Sequence, residues 1–294
     1  MTNYKIVQHK NIWLSVSIFL FVVALVGLIT FGLKFGIDFT GGSLLEVNFN
    51  SSRPTVEEVE KNLGDLNLGS LTVQPVGEAG MILRFQDSSK EKEELVMGKL
   101  GDVTQIRYTA VGPSIGEELK RKAVYAIFWV LAAVVIYISI AFRRVSRPVS
   151  SWKYGISALI AMIHDVIITI GVFAFLGKFY GTEINTPFVA AVLTVLGYSI
   201  HDTIVVFDRV RENLPRSDED FTGTVNTSLN QTLVRSINTS MTVILTLLAV
   251  LIFGGASIRV FALALTIGIF IGTYSSIFVA SPLLVLWEKW GKKA

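Results

Sequence analysis

Six runs of about 20 apolar residues limit the folds that this chain can adopt. As an α-helix, a run of this length crosses the roughly 30 Å hydrocarbon core of a membrane. Hydrophobic residues make up 51% of the sequence and charged residues only 17%, which excludes an ordinary soluble globular protein. We therefore predict a polytopic α-helical membrane protein with spans at about 11–31, 123–142, 154–176, 187–208, 235–253 and 260–286.

The positions of Lys and Arg predict how these spans are oriented. Thirteen of them lie in the amino terminus, the 143–153 loop, the 209–235 segment and the carboxyl tail, against only Lys178 and Arg259 in the two short opposite loops. Because cytoplasmic loops carry the excess of basic residues, both termini are expected in the cytoplasm. The first span has the basic flank of a signal peptide, but its apolar core is too long and no cleavage site follows. We expect residues 1–31 to remain attached as a signal anchor.

This orientation places residues 32–122 outside the cytoplasm as one domain. The apolar patterns predict four strands and two helices: strand 43–49, helix 55–63, strands 71–76 and 81–85, helix 90–100 and strand 103–111. Thr55 and Glu58 have the spacing of a capping box. The β-α-β-β-α-β order is typical of a ferredoxin-like α+β fold. The domain has no pattern of a metal cluster, a nucleophile constellation or a phosphate loop, and its small size favours contact with a partner domain.

Two glycine-rich segments flank this domain. The first, Gly36-Ile37-Asp38-Phe39-Thr40-Gly41-Gly42, permits tight turns close to the bilayer. It lies between a membrane helix and a strand, so it is not a nucleotide-binding loop. Asp38 is either a turn residue at the membrane surface or a functional acid. In the second segment, Ser114 and Glu117 have capping-box spacing and predict the start of the next helix. Both segments are predicted to act as hinges between the domain and residues 123–294.

Carboxylates inside the predicted spans are the strongest functional signal. Asp202 lies roughly 22 Å from one edge of the fourth span, and Asp165 lies roughly 16 Å from the opposite edge of the third. A carboxylate in the hydrocarbon costs roughly 2.5 to 3.5 kcal/mol on insertion scales, so it usually marks an ion or proton pathway. Arg235, at the start of the fifth span, could reach inward and pair with Asp202. A purely structural ion pair is the alternative interpretation.

The tripeptide Ile-His-Asp occurs at 163–165 and again at 200–202. Two His and two Asp form a conceivable metal set, but adjacent helix residues point about 100° apart, so we expect no metal site. His164 and His201 either assist a proton relay or bond to a backbone carbonyl. The absence of cysteine excludes disulfides and thiol catalysis, and no cofactor is expected.

The segment 209–234 is predicted to be an amphipathic cytoplasmic helix. Ser217 can cap it, and the acidic run 218–220 lies at its amino-terminal end. Apolar residues recur every four positions: Phe221, Val225, Leu229 and Leu233. We expect this helix to lie flat on the membrane surface, with docking to a cytoplasmic protein as the alternative. The isoelectric point near 9.0 does not indicate nucleic-acid binding, because the basic residues flank apolar spans.

Four motifs, residues 36–42, 111–113, 197–213 and 235–240, occur in this order across six spans and one large outer loop. In this arrangement the chain resembles the bacterial SecF family of the resistance-nodulation-division group. The resemblance implies a translocase accessory subunit rather than an enzyme, located in the cytoplasmic membrane among membrane lipids. It implies SecD as partner, with the SecYEG channel, SecA and YajC as associated components. Such a subunit uses the proton-motive force, with H⁺ or Na⁺ as coupling ion, to promote late translocation and release of preproteins.

The resemblance also implies roles for single residues. Asp202 and Arg235 match the charged pair implicated in proton movement, and Asp38 matches the acid of the first motif. Asp165 and His201 are expected in the same pathway from their positions in the spans and not from the resemblance. His201 is a departure, because Asn commonly precedes this Asp in the family. A structural or coupling motif is expected from the following residues: Gly36, Asp38, Gly41, Gly42 and Gly197.

Two other functions compete with this interpretation. An independent exporter of lipids or drugs would need two six-span halves and a larger outer domain with a substrate cleft. A passive scaffold for the translocase would not need a buried Asp202.

Overall fold

The computed structural model describes residues 4–142 and 149–291. Residues 143–148 and 292–294, which hold part of the basic excess used to predict the orientation, including most of the basic carboxyl tail, lie outside the described residues. The helices are α1 (Lys10–Phe31), α2 (Ile37–Thr40), α3 (Val56–Leu63), α4 (Lys90–Leu100), α5 (Pro113–Ala141), α6 (Ser151–Tyr180), α7 (Thr186–Asn213), α8 (Phe221–Phe253), α9 (Ala256–Ser275) and α10 (Ser281–Gly291). The strands are β1 (Gly42–Phe49), β2 (Thr72–Val76), β3 (Gly80–Phe85) and β4 (Val103–Val111).

The chain packs as two compact units. One is Phe35–Val124, and the other combines Met1–Lys34 with Tyr125–Ala294. The second unit contains most of the residues in helices that are long and apolar enough to cross a membrane. Six such helices are found among the described residues, as the sequence predicts: Val7–Phe31, Pro113–Ala141, Ser151–Tyr180, Thr186–Arg216, Phe221–Phe253 and Ile258–Lys289.

The unit Phe35–Val124 is built on a four-stranded antiparallel sheet. Its strand order is β2-β3-β1-β4, and each pair of neighbours is antiparallel. This order, with α3 and α4 as the two crossover helices, confirms the predicted ferredoxin-like fold. Alternate residues of β1, Leu45, Val47 and Phe49, enter a core shared with both helices.

The capping box that begins α3 is confirmed. The backbone N–H of Thr55 donates to Glu58 Oε2 at 2.8 Å, and the backbone N–H of Glu58 donates to Thr55 Oγ1 at 3.3 Å. The second predicted cap is wrong. Because α5 already begins at Pro113, Ser114 lies inside its first turn and cannot cap it.

Gly41 and Gly42 are required by the local backbone. Both have positive φ angles, 75° and 117°. A Cβ added at Gly41 would lie 2.8 Å from Pro113 Cα, and one added at Gly42 would lie 2.6 Å from the carbonyl oxygen of Phe85. The two glycines therefore permit close packing within this unit. A β-branched side chain at either position would collide with this backbone, so such a substitution is expected to disturb the packing of the sheet domain.

The segment before the fifth span differs from its prediction. Asp220, and not Ser217, caps α8 by accepting a hydrogen bond of 2.8 Å from the backbone N–H of Gly223. The helix then continues without a break to Phe253. The predicted apolar face is largely buried, with Val225 and Leu229 at 0% exposure, and α8 packs against α7 and α10. This face is covered by protein, so the segment does not lie flat on a membrane surface.

Small residues bring the membrane helices close together. A Cβ added at Gly171 of α6 would lie 2.5 Å from the Cβ of Ala24 in α1. One added at Gly268 of α9 would overlap the side chain of Val195 in α7. These two contacts are the small-residue packing that is typical of helices in lipid.

A π-helical turn, Ser276–Ala280, joins α9 to α10. Pro282 lies two residues beyond this turn and has no backbone N–H for the carbonyl of Phe278, four residues earlier. The wider turn is a known response to such a break. Ser281 Oγ donates a hydrogen bond of 3.0 Å to the carbonyl of Ser276 and so satisfies one backbone group there.

Candidate functional site

Asp165 lies at the centre of a fully enclosed polar cluster. Its side chain, in the middle of α6, is 0% exposed. His164 Nδ1 is 2.9 Å from Oδ1, while Ser199 Oγ donates to Oδ2 at 2.5 Å and Ser275 Oγ donates to the same atom at 2.7 Å. Three helices, α6, α7 and α9, thus supply the partners of this carboxyl group. A buried carboxyl group with this many partners is well satisfied.

His164 contacts its sequence neighbour directly. Although adjacent side chains on a helix point in different directions, His164 and Asp165 still reach each other. The partner of His164 Nδ1 is therefore this carboxyl group and not a backbone carbonyl. The ring lies between Phe21 and Tyr274, with centroid distances of 6.5 Å to each. Its Nε2 is buried and has no hydrogen-bond partner in the described part of the chain.

Asp202 is also buried, at 3% exposure, in the middle of α7. The hydroxyl groups of Ser236, Ser240 and Thr273 lie beside its carboxyl group. Two of them bond to each other, because Ser240 Oγ is 2.5 Å from Thr273 Oγ1. Within residues 4–142 and 149–291, the buried Oδ2 of Asp202 accepts no hydrogen bond. This oxygen is free to bind a proton.

The structure does not bring Arg235 to Asp202. Arg235 is exposed, and no ion pair between described residues joins these two side chains. Adjacent residues on a helix point about 100° apart, and α8 turns Ser236 toward the carboxyl group instead. His201 is exposed for the same reason, while Asp202 beside it faces the bundle. Among the described residues, no group of three His, Cys, Asp or Glu side chains could hold a metal ion.

Further hydroxyl groups bond to α7 between the positions of Ser199 and Thr203. Ser199, the partner of Asp165, lies three residues or about 4.5 Å before Asp202 on α7. Ser276 Oγ donates to the carbonyl of Ser199 at 3.2 Å, and it is 2.9 Å from Thr203 Oγ1. The end of α9 and the π turn therefore supply hydroxyl groups to both sites.

Most of these hydroxyl residues were not predicted as site residues from the sequence. Ser236 and Ser240 lie four residues apart in an apolar span, a spacing that could have indicated one polar helix face. Ser275 and Ser276 form an adjacent polar pair in the last span. Each had a local signal, but their shared contacts depend on how the helices pack.

The residues of the predicted coupling motif have different surroundings. Asp38 is half-buried in α2, and Gly36 lies at the amino-terminal end of that helix. Gly197 is exposed on α7, and a Cβ added there would meet no atom within 4 Å. Unlike Gly41 and Gly42, Gly197 is not needed for close packing within the described part of the chain.

Comparisons with known proteins assign the chain to a family. The family described as "Protein export membrane protein SecD/SecF, C-terminal" matches residues 91–290, and "SecD/SecF GG Motif" matches residues 26–52. A protein translocase subunit SecF from Thermobaculum terrenum is 44% identical, over 96% of this chain and 93% of its own length. The chain belongs to the SecF family of protein translocase subunits.

Relatives of this SecF-family chain also occur as parts of longer proteins. A translocase subunit SecDF from Brucella abortus is 34% identical over 97% of this chain but only 37% of its own length. The crystal structure of SecDF from Thermus thermophilus matches with a TM-score of 0.85 and 33% identity. It covers 98% of this chain, which spans 39% of that protein. The chain is thus a multi-pass membrane protein and the SecF subunit of a protein translocase.

Proposed function

We propose that this SecF subunit works with a separate SecD subunit and uses the proton-motive force to promote late translocation and release of preproteins. The observation that carries this proposal is the buried carboxyl group of Asp202, whose Oδ2 accepts no hydrogen bond from the described residues. A carboxylate at this depth, with one free acceptor atom, suits the uptake and release of a proton. The fused SecDF relatives support SecD as the partner.

Asp165 and Asp202 then have different tasks. Asp165 is bonded by His164, Ser199 and Ser275, so it holds the helices in register around the pathway and receives protons only when these bonds rearrange. Asp202 takes the proton directly, and the neighbouring hydroxyl groups of Ser240 and Thr273 relay it.

Arg235 and His201 take part on the exposed side of the bundle. We place Arg235 against Asp202 in a second conformation, in which its charge favours release of the proton. His201 accepts or delivers protons at the surface of α7. The coupling motif of Asp38 and its neighbouring glycines transmits the change to the sheet domain.

The proposal also covers membrane topology, associated proteins, cofactors and the coupling ion. Both termini lie in the cytoplasm, the chain works with SecYEG, SecA and YajC, and it needs no cofactor and performs no covalent catalysis. H⁺ is the coupling ion, and Na⁺ is the alternative.

The proposal is tested with the complex of this chain and SecD, reconstituted with SecYEG and SecA in proteoliposomes. Asp202→Asn removes the titrating group without adding a charge, so it should abolish the stimulation of preprotein release by a proton gradient. The matched control is Asp208→Asn, an exposed carboxylate of the same helix that pairs with Arg211 at 2.6 Å. It should retain the stimulation.

Two results would contradict the proposal. The first is normal gradient-dependent release by Asp202→Asn at full assembly with SecD. The second is release that follows a sodium gradient and ignores a proton gradient, which would replace H⁺ by Na⁺. Parallel measurements with each gradient alone distinguish them.

A further inference from the structure

An apolar groove of about 630 Å³ runs along the membrane unit between the amino-terminal segment, α8 and the end of α9. Its walls are formed mainly by apolar and aromatic side chains, including Ile6, Trp13, Ile237, Met241, Ile244 and Phe270. Several of these side chains are open to the surroundings, with Met241 at 50% and Phe270 at 64% exposure. In a membrane, the surroundings of such a groove are lipid chains.

The length of the groove corresponds to one leaflet. On α8 its wall extends from Leu233 to Ile244, a rise of about 16 Å along the helix axis. Half of a hydrocarbon core of about 30 Å is about 15 Å. A single acyl chain lying along the groove would therefore reach from the membrane surface to the bilayer centre.

Positive charge lies at the end of the groove nearest the amino terminus. Lys5 and His9, one helical turn apart in sequence, line the groove near the amino terminus. No ion pair between described residues joins either of them to a carboxylate. Lys10 lies beside Lys289 close by, again without a carboxylate partner in the described chain. Lysine cations at a membrane surface attract anionic headgroups, and the ring of His9 can donate a hydrogen bond to a phosphate oxygen.

We propose that this groove binds one anionic phospholipid, with an acyl chain between α8 and α9 and the phosphate group at Lys5 and His9. A lipid matches both features of the groove, an apolar wall about one leaflet long and a lysine at its surface end.

The end of the groove deepest in the membrane adjoins the surroundings of Asp202. Ser240 and Thr273 line the groove, and both lie beside Asp202. An acyl chain in place would cover these two hydroxyl groups from the membrane side and limit water access to the carboxyl group. The binding site itself does not depend on the function proposed for Asp202.

Trp13 provides a reporter for the test. When the other four tryptophans of this chain and all tryptophans of the SecD partner are replaced by Phe, fluorescence comes from Trp13 alone. The SecD complex is placed in vesicles of phosphatidylethanolamine and phosphatidylglycerol, with brominated acyl chains on one lipid at a time. At equal mole fraction, brominated phosphatidylglycerol should quench Trp13 more strongly than brominated phosphatidylethanolamine.

Three substitutions make the result specific. Lys5→Gln should weaken the affinity for phosphatidylglycerol roughly fivefold, whereas the matched control Lys178→Gln, an exposed lysine at the far end of α6, should not. Ile244→Phe fills the groove and should reduce quenching by either lipid. If that variant fails to fold, the exposed Lys5 variant still decides the question.

Two outcomes would overturn the proposal. Equal quenching by both lipids, unchanged by Lys5→Gln, would mean that only unspecific lipid surrounds Trp13. Quenching in the isolated chain that disappears in the SecD complex would mean that a protein helix covers the groove.

Discussion

Ser199 donates a hydrogen bond of 2.5 Å to Oδ2 of Asp165 from the helical turn that precedes Asp202. Ser275 donates to the same oxygen from α9. One oxygen of a buried carboxyl group thus ties two helices to a third. The position of Asp202 on α7 is consequently linked to the cluster around Asp165.

Loss of the Ser199 hydroxyl should destabilise the bundle. Ser199→Ala leaves a fully buried carboxyl group with one donor fewer, a change that typically costs about 1–3 kcal/mol. The measurement is the thermal unfolding midpoint of the purified SecD complex. Thr194→Ala removes an exposed hydroxyl from the same helix and should shift the midpoint very little. Equal shifts for the two variants would show that the hydrogen bond to Asp165 contributes no more to stability than an exposed hydroxyl group does.

Ser240→Ala should alter the pH dependence of preprotein release. Ser240 links Tyr198 to Thr273 beside Asp202. Without its hydroxyl group the ionised carboxylate has one possible donor fewer, so the pH of half-maximal stimulation should move upward. Release is measured over a pH series under a constant gradient. Thr239→Ala, at an exposed neighbouring position, is the control, and an unmoved profile for Ser240→Ala would rule out a role of this hydroxyl group.

Gly268→Val should loosen the contact of α9 with α7. The new side chain overlaps Val195, and such overpacking typically costs about 1–3 kcal/mol. The same substitution at Gly197 meets no atom within 4 Å and has the same effect on helix propensity. Thermal unfolding in detergent should therefore separate the two variants. If they unfold together, the close approach of α7 and α9 is not needed for stability.

The sheet domain should lose one stabilising interaction in acid. Lys99 Nζ donates a hydrogen bond of 2.6 Å to Asp65 and lowers the pKa of that carboxyl group below its ordinary value of about 3.9. The contribution is complete well above pH 4 and is lost as the pH falls through the lower pKa of the folded state. We expect Asp65→Asn to speed pepsin cleavage of the domain near pH 4, relative to the parent, but not near pH 2. Glu78→Gln, at an exposed position, should match the parent throughout.

Features set by local pattern were predicted well from the sequence. The six spans and the β-α-β-β-α-β order follow from runs and alternation of apolar residues, and the Thr55 cap needs only Glu58 three residues away. Ser217 failed as a cap because Asp220 offers its carboxylate directly before α8. The partner of Asp202 on α8 could not be predicted for a different reason. Whether α8 presents Arg235 or Ser236 depends on the rotation of the helix, which packing decides and sequence spacing does not.

The π turn at Ser276–Ala280 holds one more residue per turn than an α-helix. If the surplus residue moved out of the turn while α10 stayed in place, α9 would rotate by about 100°. Thr273 and Ser275 would then leave Ser240 and Asp165 in a single step. A shift of α9 by one residue would thus change the surroundings of both carboxylates together, with an axial movement of only about 1.5 Å.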